Sequence, residues 1–221
     1  NAIRKSNNVS AAQTLMTMVG VDRSVDFLLR MGVDSDHIDA TPYGLSLGSS
    51  GITPLQLTVA YGVLANAGVY QEPISFLGIS DSDGNVVYDS HAQQERRQVF
   101  RPSTAWMTVD MMKGVISNGT GSSAKIKGQT VAGKTGTNSD QRGVTFSGMT
   151  GWYASAIWVG HDNYRPLSSK STGNGSAAPI WQSCMSKIHQ AKNLSDRDII
   201  EATPDQLGIV SATTCAVSGQ L

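Results

Sequence analysis

The chain has 221 residues, enough to bury a real hydrophobic core as one domain or most of one. Its 17 basic residues balance 17 acidic ones, which removes the electrostatic case for nucleic acid or an acidic membrane surface as a partner. Charged residues make up 15% and glycine numbers 23, a balance that fits an α/β protein with many turns better than a helical bundle.

Residues 1–8 are polar and lack the pattern of a signal peptide, and no apolar run approaches a membrane span. Any export signal or anchor is expected outside this sequence. Residues 10–18 read as a helix, with Ala11, Leu15 and Met18 at helical spacing. A second helix is expected to follow Asp22 as N-cap, carrying Val25, Phe27, Leu28, Leu29 and Met31 and stopping at Gly32. Thr53-Pro54 is a cap followed by proline at the first helical position; it opens a broadly apolar, buried helix that runs to Ala67 and ends at Gly68.

Residues 74–79 and 85–88 flank Asp81-Ser82-Asp83-Gly84 and read as a β-hairpin. The polar run 91–97 reads as a solvated loop. Residues 103–116 predict a helix with Trp106, Val109, Met112 and Ile116 on one side. Residues 144–149 and 153–160 read as two antiparallel strands, the second apolar on both faces and therefore central. A Gly/Ser-rich loop, 168–176, precedes a last helix over 178–191, and a polar tail ends in a weakly β-like 207–210. Helices first, three late antiparallel strands, then a C-terminal helix describe a mixed α/β domain in residues 1–194, with 195–221 as a tail.

The chain is organised around Thr130-Val131-Ala132-Gly133-Lys134-Thr135-Gly136-Thr137. Lysine and glycine are poor strand formers, so their presence at the start of a β-rich run points to a site. In an extended chain Lys134 and Gly136 share one face, and Thr135 and Thr137 the other. An ammonium, two hydroxyls and strand-edge amides suit a substrate with a carboxylate and a peptide bond. The same letters, from Gly128 to Thr135, also satisfy the phosphate-loop pattern G-x-x-x-x-G-K-[ST], giving a nucleotide-binding alternative. That alternative needs a buried strand before the loop and a helix after it. The polar residues 121–127 and the glycine-bounded 136–143 supply neither. An ordinary surface strand with a lysine is the plainest alternative.

Cys184 and Cys215 have no metal-ligand spacing, and could equally pair or sit as small buried hydrophobes. His37, His91, His161 and His189 are scattered without ligand-like pairing, so no metal site and no cofactor are expected.

Two motifs then meet: Lys134-Thr135-Gly136-Thr137 is a K-T-G-[ST] strand, and Ser6-Asn7-Asn8 an upstream S-x-N triplet. With Gly119-Thr120-Gly121, Trp158-Val159-Gly160-His161-Asp162, Gly51-Ile52-Thr53-Pro54-Leu55 and a tail Cys215-Ala216-Val217-Ser218-Gly219, the chain resembles the transpeptidase domain of bifunctional (class A) penicillin-binding proteins. The resemblance implies a penicillin-binding-protein/β-lactamase-like α/β domain, with an antiparallel sheet flanked by helices and the nucleophile helix missing. In such proteins an S-x-x-K serine and lysine precede the S-x-N triplet. The single S-x-x-K here, Ser122-Ser123-Ala124-Lys125, follows the triplet and reads as a chance match in a loop.

The resemblance implies D,D-transpeptidation of D-alanyl-D-alanine stem peptides of peptidoglycan, with β-lactams acylating the same serine. Ser6, Asn8 and Lys134 would be catalytic; Thr135, Gly136 and Thr137 would bind substrate, and the Thr137 N–H would supply one oxyanion-hole donor. It further implies that the nucleophile helix, a glycosyltransferase domain and a membrane anchor belong to the same polypeptide, at the extracytoplasmic face of a bacterial membrane. A penicillin-sensing receptor shares this domain and stays open as an alternative, as does the simple reading of Ser6 and Asn8 as helix caps.

Overall fold

A computed structural model describes residues 1–213. The suggested partner of the exposed Cys184, Cys215, lies outside the described residues, as does the tail motif that follows it.

A short helix, α1 (Ala2–Lys5), ends at Ser6, which adopts a left-handed conformation (φ 54°). Asn7 then caps α2 (Asn8–Thr14), its side chain accepting from Ser10 N. The cap is thus the residue between the two proposed, because its extended backbone turns its carbonyl oxygen onto the first free amides. The apolar spacing expected to run as one helix to residue 18 instead loosens into a π-turn, Leu15–Val19. The following helix, α3 (Val21–Arg30), starts one residue before Asp22, with Gly20 as its cap position, so Asp22 lies in the first turn rather than at the cap.

Thr41 caps α4 (Pro42–Leu47), a helix with too little apolar periodicity to be read from the sequence. Thr53 and Gln56 form a reciprocal capping box that starts α5 (Pro54–Ala65). Strand β1 (Val69–Gln71) follows. The hairpin β2 (Gly78–Ser80) and β3 (Val86–Asp89) is shorter than its apolar runs suggest, with a register shift at Ile79/Ser80. The run read as a solvated loop carries a helical turn, α6 (Ser90–Gln93), and strand β4 (Arg96–Gln98), which pairs antiparallel with β1. Its side chains are polar, and it joins the fold through backbone pairing and polar contacts; Arg97 lies over the Tyr70 ring at 3.7 Å and donates to Arg30 O.

The long helix α7 (Pro102–Asn118) leads through a 3-10 turn, Ser122–Ala124, to the main sheet: β5 (Ala132–Thr137), β6 (Gly143–Met149) and β7 (Ala154–Gly160). All pairings are antiparallel and β6 lies in the middle. The strand expected to be central, β7, therefore stands last in this sheet among the described residues. Its second apolar face is accounted for by α5, which packs against it. A π-turn, Gly173–Ala177, then introduces α8 (Ala178–Ala191). Residues 207–210 form no strand; a 3-10 turn, Asp205–Leu207, ends at Gly208.

The sheet separates two cores. On one face Val144 and Phe146 pack against Trp181 and Met185 of α8, with Ile116 and Ala124 closing the end. On the other, Ala132 and Met149 pack against Ala105, Val109 and Met112 of α7. Ile199 and Ile200 join this second core, so the segment after α8 folds back onto the domain. Asp196 fixes that return: its carboxylate accepts from Thr130 N at 2.6 Å and from Thr130 Oγ1 at 3.1 Å, just before β5 begins. Beside it, His189 donates from Nδ1 to Met185 O and receives the Thr150 hydroxyl at Nε2, 3.1 Å away.

Candidate active site

The register of β5 on β6 sets which way each side chain points. Residues directly opposite one another share a face. Lys134 lies opposite Ser147 and Gly136 opposite Thr145, on the α7 side; Thr135 and Thr137 lie opposite Phe146 and Val144, on the α8 side. A Cβ on Gly136 would come within 2.2 Å of Thr145 Oγ1. The close neighbour that the glycine admits is therefore the adjoining strand's hydroxyl.

Lys134 crosses toward the start of the chain. Its Nζ donates to Ser6 Oγ at 2.9 Å and to the carbonyl of Thr135 at 3.0 Å. Partial burial removes water from the ammonium and lowers its pKa from the ordinary lysine value. Ser6 Oγ accepts from this lysine, so its own hydrogen is free to be donated.

Thr120 holds the two halves in place, and its role was visible in the sequence only as the middle of Gly119-Thr120-Gly121. Thr120 N donates to Arg4 O at 3.2 Å, which pins α1 two residues before Ser6. Its hydroxyl pairs with Thr135 Oγ1 at 3.2 Å, one residue after Lys134. Arg4 adds a bond from Nη1 to Asn118 Oδ1 at 3.3 Å. A side chain at Gly119 would strike Arg4 O at 2.6 Å, so glycine is what lets α1 seat on the end of α7.

Further along β5, Thr137 Oγ1 accepts from Gly173 N at 3.0 Å, in the Gly/Ser-rich segment that otherwise read as a plain loop. The Thr137 hydroxyl hydrogen is left for another acceptor. The Thr120–Thr135 pair likewise holds two hydroxyl hydrogens and spends one on itself. Two donors beside an ammonium suit an anion.

The structure thus gathers Ser6, Lys134, Thr135 and Thr120, with Thr137 next along the strand. It does not tie Asn8 to them: its side chain is exposed and makes no hydrogen bond among the described residues. Ser122 and Lys125 of the chance motif are both exposed, with no bond between their side chains. The phosphate-loop alternative fails on geometry, since residues 132–137 are extended and return as a hairpin into β6, where a phosphate cradle would turn into a helix. Among the described residues no three His, Cys, Asp or Glu side chains are grouped to hold a metal. No described helix is long and apolar enough to cross a membrane.

Solved structures share this architecture. Penicillin-Binding Protein 1A from Haemophilus influenzae superposes with a TM-score of 0.76 at 23% identity, over 89% of this chain and 34% of that one. Penicillin binding protein 3 from Mycobacterium tuberculosis gives 0.71 at 22% identity, over 96% and 54%. The fold is that of these penicillin-binding proteins. Residues 1–160 match the family described as penicillin binding protein transpeptidase domain, and the chain belongs to it. Among curated relatives, Penicillin-binding protein 1A of Clostridium botulinum is 32% identical over 100% of this chain and 26% of its own length. The Clostridium acetobutylicum protein of that name is 34% identical over 90% of this chain and 24% of its length. The chain thus spans about a quarter of the relatives it matches.

Proposed function

We propose that the protein is a peptidoglycan D,D-transpeptidase, acting on D-alanyl-D-alanine stem peptides and acylated by penicillin at the same serine. The contact between Lys134 Nζ and Ser6 Oγ, 2.9 Å long, carries the reading. It joins the two motifs of the family resemblance into one proton path. The acylated serine is assigned to a part of the protein outside residues 1–221, on an S-x-x-K helix. The short share of the relatives' length that this chain spans supports that assignment.

In the proposed reaction the serine Oγ bonds to the carbonyl carbon of the penultimate D-alanine, and the carbon–nitrogen bond to the terminal D-alanine breaks. Ser6 passes a proton to the departing amine, and Lys134, with its lowered pKa, keeps that relay supplied. An amine of a second stem peptide then attacks the acyl-enzyme, releasing the serine and forming the cross-link. Thr135 and Thr137 hold the terminal carboxylate with their spare hydroxyl hydrogens. Gly136 keeps the strand close to Thr145, and the Thr137 N–H is one oxyanion donor. Asn8 holds the substrate backbone once the rest of the site is present.

The glycosyltransferase domain and the membrane anchor belong to this proposal, as does placement at the extracytoplasmic face. The test is covalent labelling with fluorescent penicillin. The full-length protein is expected to be labelled and residues 1–221 alone to stay unlabelled; labelling of the short chain at Ser122, or none of the full-length protein, would overturn the reading.

A further inference from the structure

The chain has three steps at which an asparagine or aspartate precedes glycine: Asp83-Gly84, Asn118-Gly119 and Asn174-Gly175. Such a step can close on itself, because glycine has no side chain to keep its amide nitrogen away from the preceding side-chain carbonyl. The nitrogen must be free to do so. Gly84 N is engaged to Asp81 O at 3.1 Å, and Gly175 N to Thr172 Oγ1 at 2.9 Å. Gly119 N has no acceptor among the described residues. Asn118 is the last residue of α7, and Val115 O, which a longer helix would offer to Gly119, accepts from Gly121 N instead at 3.0 Å.

The Asn118 side chain is set for the other half of a reaction. It is exposed, so water reaches it. Its Oδ1 accepts from Arg4 Nη1 at 3.3 Å and from Ser117 Oγ at 3.4 Å. A guanidinium thus stands where negative charge gathers when the side-chain carbonyl is attacked. Asn118 Nδ2 donates to nothing among the described residues, so its departure breaks no hydrogen bond. Asn174 differs here too, since its Oδ1 is held by Ser123 N at 2.9 Å.

We propose that Asn118-Gly119 is a self-modification site whose conversion unseats α1, and with it Ser6, from the strand that bears Lys134. Gly119 N loses its proton and bonds to Cγ of Asn118; the Cγ–Nδ2 bond breaks, and Nδ2 leaves as ammonia. Water then opens the cyclic imide. Entry at Cγ leaves an aspartate in an ordinary chain. Entry at the main-chain carbonyl leaves an isoaspartate, whose backbone runs through Cβ and Cγ and is one carbon longer.

That extra carbon meets a crowded turn. A Cβ placed on Gly119 would already approach Arg4 O at 2.6 Å and Val115 Cα at 2.8 Å. The next residue, Thr120, holds Arg4 O through its amide and Thr135 through its hydroxyl. Lengthening the chain just ahead of Thr120 displaces both bonds. The aspartate product keeps the backbone and faces the Arg4 guanidinium, so it leaves α1 in place. The effect on acylation rests on the transpeptidase reading; the modification itself does not.

The test holds the full-length protein at mildly alkaline pH and maps digested samples over time by mass spectrometry. Conversion at Asn118 should outrun conversion at Asn174 several-fold. The fraction of protein rapidly acylated by fluorescent penicillin should fall in step with isoaspartate at position 118. Hydrogen exchange at α1 should quicken in the same samples. Asn118→Gln, whose longer side chain closes the ring far less readily, should keep its own fresh rate over the same period. If that variant does not fold, the correlation within wild-type samples decides. Conversion at Asn174 as fast as at Asn118, or an acylated fraction and an α1 exchange rate unmoved by isoaspartate at 118, overturns the inference. Fresh full-length protein that penicillin fails to label would instead overturn the transpeptidase reading, and the mapping and exchange would then decide the inference without it.

Discussion

Lys134 and Ser6 lie 128 residues apart in the chain, yet the lysine ammonium donates to the serine hydroxyl at 2.9 Å. Nothing in either local sequence makes that contact. It exists because α1 seats on the end of α7 and because the loop after α7 touches both Arg4 O and the Thr135 hydroxyl.

Replacing the lysine should therefore remove both a charge and a hydrogen bond from the proposed reacting centre. In the full-length protein Lys134→Ala is expected to slow acylation by penicillin by about a hundredfold or more. Stopped-flow or timed labelling measures it, and an unchanged rate would remove Lys134 from the proposed mechanism.

The lysine also predicts a pH effect on stability. Burial lowers its pKa in the folded state, so between that lowered value and the ordinary 10.5 the unfolded chain holds more protons. Stability from this group must rise with pH through that window. The difference in unfolding free energy between wild type and Lys134→Met should grow in favour of wild type as pH rises toward 10.5. Urea titrations at several alkaline pH values read it; a difference falling with pH would contradict the burial argument.

Gly136 is close-packed against Thr145 Oγ1, with 2.2 Å available to a Cβ. Gly136→Ala should destabilise the sheet by about 1–3 kcal/mol, as for other overpacking substitutions. Thr145→Ala in the same chain should restore part of the loss, because the obstructing oxygen is gone. Denaturant midpoints of the two single variants and the double variant give the coupling, and strict additivity would count against the contact.

Thr150 and His189 are both buried, and the Thr150 hydroxyl is the donor to His189 Nε2. Thr150→Val keeps the shape, but strands that nitrogen and the amides of Trp152 and Tyr153 that Thr150 Oγ1 accepts. His189 Nε2 is the buried group left unsatisfied, at an expected cost of about 1–3 kcal/mol, while the Trp152 and Tyr153 amides belong to exposed residues that water can reach. Calorimetry of the variant measures it.

The sheet was legible because β6 and β7 run largely apolar and β5 carries the Lys134-Thr135-Gly136-Thr137 motif just before them, and α5, α7 and α8 carry cap residues or a wide apolar side. What escaped has physical reasons. Strand β4 is Arg96-Arg97-Gln98, whose membership comes from backbone pairing with β1 rather than from any apolar pattern. Asn7, rather than its neighbours, caps α2, since the triplet's conformation is decided by the left-handed turn at Ser6. Strand β7 was expected to be central because both its faces are apolar, and it stands last in the sheet among the described residues. Helices on both sides cover an end strand's faces as they do a central one's, so the apolar pattern does not decide the position. At the site, the alternation of Lys134 and Thr135 followed from strand geometry alone. Thr120 and Gly173 did not, because their part is played by a main-chain amide as much as by a side chain.

The bonds from Thr130 to Asp196 join positions 66 residues apart, with the later partner beyond the last long helix. During synthesis the strand that bears Lys134 emerges well before the carboxylate that anchors its entrance, and before Ile199 and Ile200 can close the core beneath it. The nascent chain therefore carries Lys134 on a strand whose entrance stays untied until translation has passed residue 200. Only then is the entrance to the strand that faces Ser6 tied down.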